Sequence, residues 1–138
     1  MSRIIDYVII HCAATKPSMD IGAAEIRDWH VNGNGWSDIG YHWVIRRDGT
    51  IERGRDELDI GAHVRGYNVN SIGICLAGGI DEDGEPDCNY TFQQWLSLNS
   101  LVSGVKHRHT AAKVLGHRDF DSGKACPVFD VAEWWAIK

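Results

Sequence analysis

The chain has 138 residues, 43% hydrophobic and 24% charged, with a formal net charge of −5. That length suits one domain spanning 1–138, large enough to bury a core without staples. The acidic balance excludes a general binder of phosphate backbones, and no run approaches the roughly 18 apolar residues that span a bilayer, so neither a nucleic-acid partner nor membrane insertion is expected.

The opening Met-Ser-Arg-Ile-Ile-Asp-Tyr-Val-Ile-Ile-His is interrupted by Asp6 and carries no small-residue cleavage site. It does not resemble a secretory signal, and synthesis in the cytoplasm is expected. There Cys12, Cys75, Cys88 and Cys126 are expected as thiols. Tyr7–His11, β-branched and apolar, predicts a short buried strand. Asp20 and Gly22 precede a helical stretch that sets Ala23, Ile26 and Trp29 on one face, and the Gly/Asn run from Asn32 to Gly35 ends it. Tyr41–Arg46 and Thr50–Arg53 flank Asp48-Gly49, a dipeptide favoured in tight two-residue hairpin turns.

Ser71–Ala77 reads as a mid-sheet strand closed by Gly78-Gly79, and the acidic stretch Asp81–Asn89 as a surface loop. Thr91 with Gln94 forms a capping box, Tyr90 with Trp95 a hydrophobic staple, and Trp95, Leu98, Val102 and Val105 the stripe of the helix that follows. The basic run Lys106-His107-Arg108-His109 fits that helix's last turn, where cations complement the dipole. Lys113–Gly116 is a short strand delivering His117. Asp130 with Glu133, and Phe129 with Trp134, repeat the cap and staple before a final helix. The order strand, helix, hairpin, strand, helix, strand, helix predicts an α/β domain with a central mixed β-sheet flanked by helices.

His11 and His117 then both fall at carboxyl ends of strands, where open α/β sheets place ligand clefts. With Cys126 they make a three-ligand zinc set, and three protein ligands leave a position open for chemistry. Taken singly, each residue has an ordinary reading: a hydrogen-bonded strand-end histidine, or a small buried thiol. Cys126, His117 and Asp119 also suggest a thiol hydrolase. Cys12 and His42 alternate away from His11 and Tyr41 and are expected in the core, while Arg118 and Asp119 are placed to support the ligand beside them.

Four segments bear on the choice: Val8-Ile9-Ile10-His11-Cys12-Ala13-Ala14-Thr15-Lys16-Pro17-Ser18, Gly40-Tyr41-His42-Trp43-Val44-Ile45-Arg46-Arg47-Asp48-Gly49-Thr50, Asn70-Ser71-Ile72-Gly73-Ile74-Cys75-Leu76 and Gly123-Lys124-Ala125-Cys126-Pro127. In this order they closely resemble the zinc N-acetylmuramoyl-L-alanine amidases, specifically the amidase-type lysozymes of tailed phages, whose fold animal peptidoglycan-recognition proteins share. The resemblance runs from about Tyr7 to Trp135. It implies zinc on His11, His117 and Cys126, catalytic roles for Tyr41 and Lys124, and a substrate-binding role for His63 at the cleft. It implies a phage or prophage endolysin, active on peptidoglycan or muropeptides after the membrane is breached, and expected as a monomer. The alternatives are a peptidoglycan-binding module without activity and a regulator that binds RNA polymerase. The connection from His117 to Cys126 is about one residue longer than in the phage enzymes, and the segment before the first strand is shorter than in those that also regulate a polymerase.

Overall fold

In the computed structural model, which describes residues 3–137, five strands form one mixed sheet in the order β3-β2-β4-β1-β5. The strands are β1 (Tyr7–Cys12), β2 (Trp43–Ile45), β3 (Ile51–Arg53), β4 (Ser71–Leu76) and β5 (Lys113–Gly116), and the helices are α1 (Ala23–Asp28), α2 (Phe92–Arg108) and α3 (Val131–Ala136). Residues 1, 2 and 138, the ends of the expected domain, lie outside the described residues. β1 pairs in parallel with β4 on one side and β5 on the other, β4 pairs in parallel with β2, and only β2–β3 is antiparallel. Central parallel strands are covered on both faces and so read as near-continuous apolar runs. β4 is buried at every position.

Alternation along β1 divides the core. Val8, Ile10 and Cys12 face one layer with Ile72, Ile74 and Leu76, under Leu98, Val102 and Val105 of α2 and Val131 of α3. The opposite face packs Val44, Cys75 and Ala77 against Ile21, Ala23 and Ile26 around α1. His11 belongs to this second face, paired in register with Cys75. Among the described residues no helix is long and apolar enough to cross a membrane.

α2 begins as the sequence predicts. Thr91 Oγ1 accepts from the Gln94 backbone N–H at 3.1 Å, Gln94 Oε1 accepts from Thr91 N–H at 3.0 Å, and the Tyr90 and Trp95 rings meet edge-on at 5.6 Å. Gln94 does more than cap. It is fully buried, and its Nε2 donates to the carbonyls of Ala77 (2.8 Å) and Ile45 (3.3 Å), closing the ends of β4 and β2. Asp130 caps α3 by accepting from Glu133 N–H at 3.1 Å.

Three expectations are corrected. The hairpin loop holds three residues, Arg47–Gly49: Arg46 N–H donates to Thr50 O, Gly49 N–H to Arg46 O, and Gly49 takes φ +90°. A three-residue loop needs a left-handed residue at its end, and glycine supplies it here. β2 starts at Trp43 and not Tyr41, because the His42 Nδ1, in place of a backbone carbonyl, takes the Gly73 N–H at 3.0 Å. Finally, Trp29 leaves the buried face and is 40% exposed. The helix widens into a π-turn over Trp29–Gly33, where Asn34 N–H reaches back five residues to Trp29 O.

The basic run does end α2, and its charges are used internally. Lys106 Nζ donates to Thr110 O and Ala112 O at 2.7 Å, and Arg108 donates to Glu57 Oε2 at 2.7 Å, with His109 3.8 Å from Oε1. The Trp43 indole N–H also donates to Glu57, at 2.6 Å. Burial raises the Glu57 pKa, but the Arg108 and Trp43 hydrogen bonds outweigh it and hold the group below its ordinary 4.5. A depressed carboxylate pKa contributes stability above its unfolded value, and that contribution fades as pH falls through the folded one. Glu57→Ala is therefore expected to cost about 2 kcal/mol at neutral pH. Denaturant unfolding should show the gap between variant and parent narrowing below pH 4.5; a pH-independent difference would assign it to lost packing.

Candidate metal centre and cleft

Because β1 and β5 are parallel neighbours with Ile10 opposite Gly116, the residues that follow, His11 and His117, emerge side by side at one sheet edge. His117 opens a 3₁₀ turn, His117–Asp119, which Asp119 fixes by accepting the Gly116 N–H at 2.8 Å. The next loop brings Cys126 back: Arg118 N–H donates to Cys126 O at 2.9 Å, and the Tyr90 hydroxyl donates to Pro127 O at 2.6 Å. The Cys12 backbone N–H points at Cys126 Sγ, 3.0 Å away.

The result is a compact donor set. His11 Nδ1 stands 3.2 Å from His117 Nδ1, and the ligand atoms of His11, His117 and Cys126 all lie within 4.8 Å of one another. Burial, then the neighbouring His63 and His117, holds His11 well below the usual imidazole range, and burial followed by the Lys124 charge lowers His117. Both rings are thus neutral at pH 7 with lone pairs to offer, as ligation requires. The Cys126 thiol hydrogen-bonds with Cys12, and that contact with burial pushes its pKa up. Two imidazoles and a sulfur suit a divalent cation of intermediate softness. The thiol-hydrolase arrangement is not what forms: the Asp119 carboxylate is turned to the Gly116 backbone, and His117 Nδ1 faces His11.

Tyr41 packs beside the set, its ring centroid 5.1 Å from that of His11. Burial, reinforced by the Cys75, Cys126 and Cys12 thiols, raises its pKa well above 10, so its hydroxyl keeps its proton and can donate. Lys124 sits on the loop before Cys126, exposed, and its charge is felt at His117. His63 enters from the segment before β4. Its Nδ1 is 2.7 Å from His11 Nε2, and its Nε2 is 3.2 Å from Ser71 Oγ.

Two hollows flank the centre. One, of about 280 Å³, is lined by Trp36, Ala62, His63, Val64, Arg65 and Asn68. The other, of about 220 Å³, lies against Cys126 and Lys124, walled by Cys12, Ala14, Ile80 and Val128. Ala14 and Val128 both hold left-handed backbone, at φ +54° and +75°. Such strain is uncommon outside glycine and gathers at functional sites.

Sequence reasoning passed over three features. His30 accepts the Gly40 N–H at 2.9 Å and lies 5.6 Å from the Tyr41 ring, delivered by the π-turn, which has no sequence signature. Trp36, 4.6 Å from His30, forms a cleft wall and was indistinguishable from the core tryptophans. Cys12 lies in the α2-side core as alternation predicts, yet it meets Cys126 through its backbone N–H and its thiol, contacts that a side-chain pattern does not carry.

An α/β sheet with a histidine–histidine–cysteine set and a protonated tyrosine at its carboxyl edge has the makings of a metal-assisted hydrolase. Comparison with known proteins narrows this class. Residues 1–129 match the family model described as N-acetylmuramoyl-L-alanine amidase. An endolysin of Klebsiella phage KP32 is 50% identical over 93% of this chain and 83% of its own. Among solved structures, the N-acetylmuramoyl-L-alanine amidase endolysin LysCS of Clostridium intestinale superposes with TM-score 0.76 at 30% identity, over 91% of this chain and 76% of that one. Wild-type Drosophila PGRP-LB gives TM-score 0.76 at 29% identity, over 92% and 76%. The chain belongs to the N-acetylmuramoyl-L-alanine amidase family and is an enzyme of that class.

Proposed function

We propose that the chain is an endolysin, a single catalytic domain that hydrolyses the amide joining the lactyl group of N-acetylmuramic acid to L-alanine in peptidoglycan. In this reading His11, His117 and Cys126 hold zinc. The observation that carries it is the convergence of the donor set: the two Nδ1 atoms stand at 3.2 Å and the ligand atoms of His11, His117 and Cys126 lie within 4.8 Å of one another, close enough that one zinc would be held by all three. Bound there, zinc supplies Lewis-acid polarisation and brings a water's pKa near ~7.

The remaining work falls to side chains. Water adds to the lactyl carbonyl carbon, the C–N bond breaks, and the amine departs only once it has gained a proton. The Tyr41 O–H serves as donor to the developing oxyanion or as relay to the amine. Lys124 brings a second, charged donor from the loop that carries Cys126. The two hollows give the two arms of the substrate somewhere to lie, one on the His63 and Trp36 side, the other against Cys126. Action on the cell wall follows from this substrate.

One zinc per chain is expected by metal analysis, with turbidity loss of a cell-wall suspension abolished by chelation and restored by zinc. Cys126→Ala should lose both metal and activity. Lysis that persists after complete zinc removal would overturn the metal reading.

Tyr41→Phe and Lys124→Ala should retain zinc and fold while kcat falls roughly 10²-fold or more with little change in KM, since donors aimed at the oxyanion act in the transition state. Near-normal kcat in both would move the proton relay elsewhere. Digested peptidoglycan should gain N-terminal alanine without new reducing sugar ends; new reducing ends would instead indicate glycan cleavage.

A further inference from the structure

The sequence resemblance offers His63 as a substrate-binding residue, but its ring nitrogens are both engaged inside the protein. We propose that His63 is a positioning residue for the metal centre: its Nδ1 accepts the Nε2–H of His11 and thereby fixes the tautomer and plane in which His11 turns Nδ1 toward the cation. This rests on the reading that His11, His117 and Cys126 bind zinc.

The assignment of protons follows from three distances. The two Nδ1 atoms of the facing pair stand 3.2 Å apart and would have to be bare to offer their lone pairs to one cation. The His11 proton is then on Nε2, which lies 2.7 Å from His63 Nδ1, so that nitrogen accepts. The His63 proton is consequently on Nε2, directed at Ser71 Oγ, 3.2 Å away and able to accept. The reverse order, with His63 Nδ1 donating, would put a proton on His11 Nδ1 between the two ligand nitrogens. A ligating imidazole whose other N–H is held gains basicity and a fixed orientation. The partner is usually a carboxylate or carbonyl; here an uncharged ring takes that place.

The surroundings are built to hold this ring. A Cβ at Gly73 would come within 2.7 Å of the His63 imidazole, and one at Gly61 within 2.9 Å. Glycine at these positions lets the ring lie against β4. Asn68 Oδ1 accepts the backbone N–H groups of both His63 and Val64 at 2.9 Å, anchoring the segment from which the ring projects. Ser71, at the end of the relay, is fully buried.

Two substitutions separate positioning from packing. His63→Leu fills comparable space but offers no acceptor; His63→Asn places an amide oxygen near the former Nδ1. Zinc affinity is read by competition with a chromophoric chelator, and the ligand field by the visible bands of the cobalt(II)-substituted protein. The leucine variant is expected to bind zinc about 10- to 100-fold more weakly with shifted cobalt bands, and the asparagine variant to stay within about threefold of the parent with parental bands. If leucine prevents folding, His63→Ala replaces it in the same comparison. A non-accepting variant that binds zinc as tightly as the parent, or an asparagine variant as weak as the non-accepting one, overturns the proposal. A parent chain that takes up no zinc sinks the metal reading itself and this inference with it.

Discussion

The parallel pairing of β1 between β4 and β5 is the constraint on which everything else rests. Strands that run the same way end at the same edge, so residues more than a hundred positions apart, His11 and His117, arrive together without a loop reaching across the molecule. Such strands are buried on both faces, which permits polar side chains only where each hydrogen-bonding group is met. His11 and His42 satisfy that condition in different ways. His42 spends its nitrogens on the Gly73 N–H and the Asp59 carbonyl and so stitches β2 and its loop to β4. His11 spends one nitrogen on His63 and leaves the other at the sheet edge, beside His117.

Much of this was legible in the chain. The apolar runs of β1 and β4, the Thr91–Gln94 box and the strand delivering His117 announce themselves through periodicity and cap chemistry, which are local properties. The hairpin loop was misjudged because Asp-Gly serves both two- and three-residue loops, and the choice is made by how far the ladder extends. β2 lost its first two expected residues to a side chain, His42, competing for a backbone donor. The site divided along the same line. The donor set could be suspected from residue types and strand ends, and the family resemblance added Tyr41 and Lys124. The environment of those groups could not be read. That His63 leans on His11, that Cys12 N–H meets Cys126 and that His30 sits beneath Tyr41 are all products of tertiary approach.

The cleft also shows where the fold departs from low-energy backbone. Ala14 leaves the sheet immediately after β1 in a left-handed conformation, and the chain rejoins β4's extension at Thr15, whose N–H and Oγ1 bond Gly78. Val128, just after Cys126, is the less comfortable of the two, since a branched Cβ disfavours positive φ. It is restrained by its own N–H to Ala125 O at 2.7 Å. Each such residue costs on the order of 1–3 kcal/mol. Both line the same hollow, where the detours keep chain out of the space beside Cys126.

The electrostatics of the centre point the same way. His11, His63 and His117 are held neutral, and the Tyr41 proton is retained. Lys124 is the cation whose field reaches His117, from an exposed position at the rim, while Arg3 and Arg55 act on His63 from the other side. A site arranged in this way has little charge of its own to reorganise. On the proposed reading, Cys126 would ligate as a thiolate, and the positive charge that a divalent cation keeps after that neutralisation would add to Lys124 in favouring a developing oxyanion. Burial keeps the Tyr41 hydroxyl protonated at neutral pH, so on the same reading it can offer a hydrogen bond to that oxyanion.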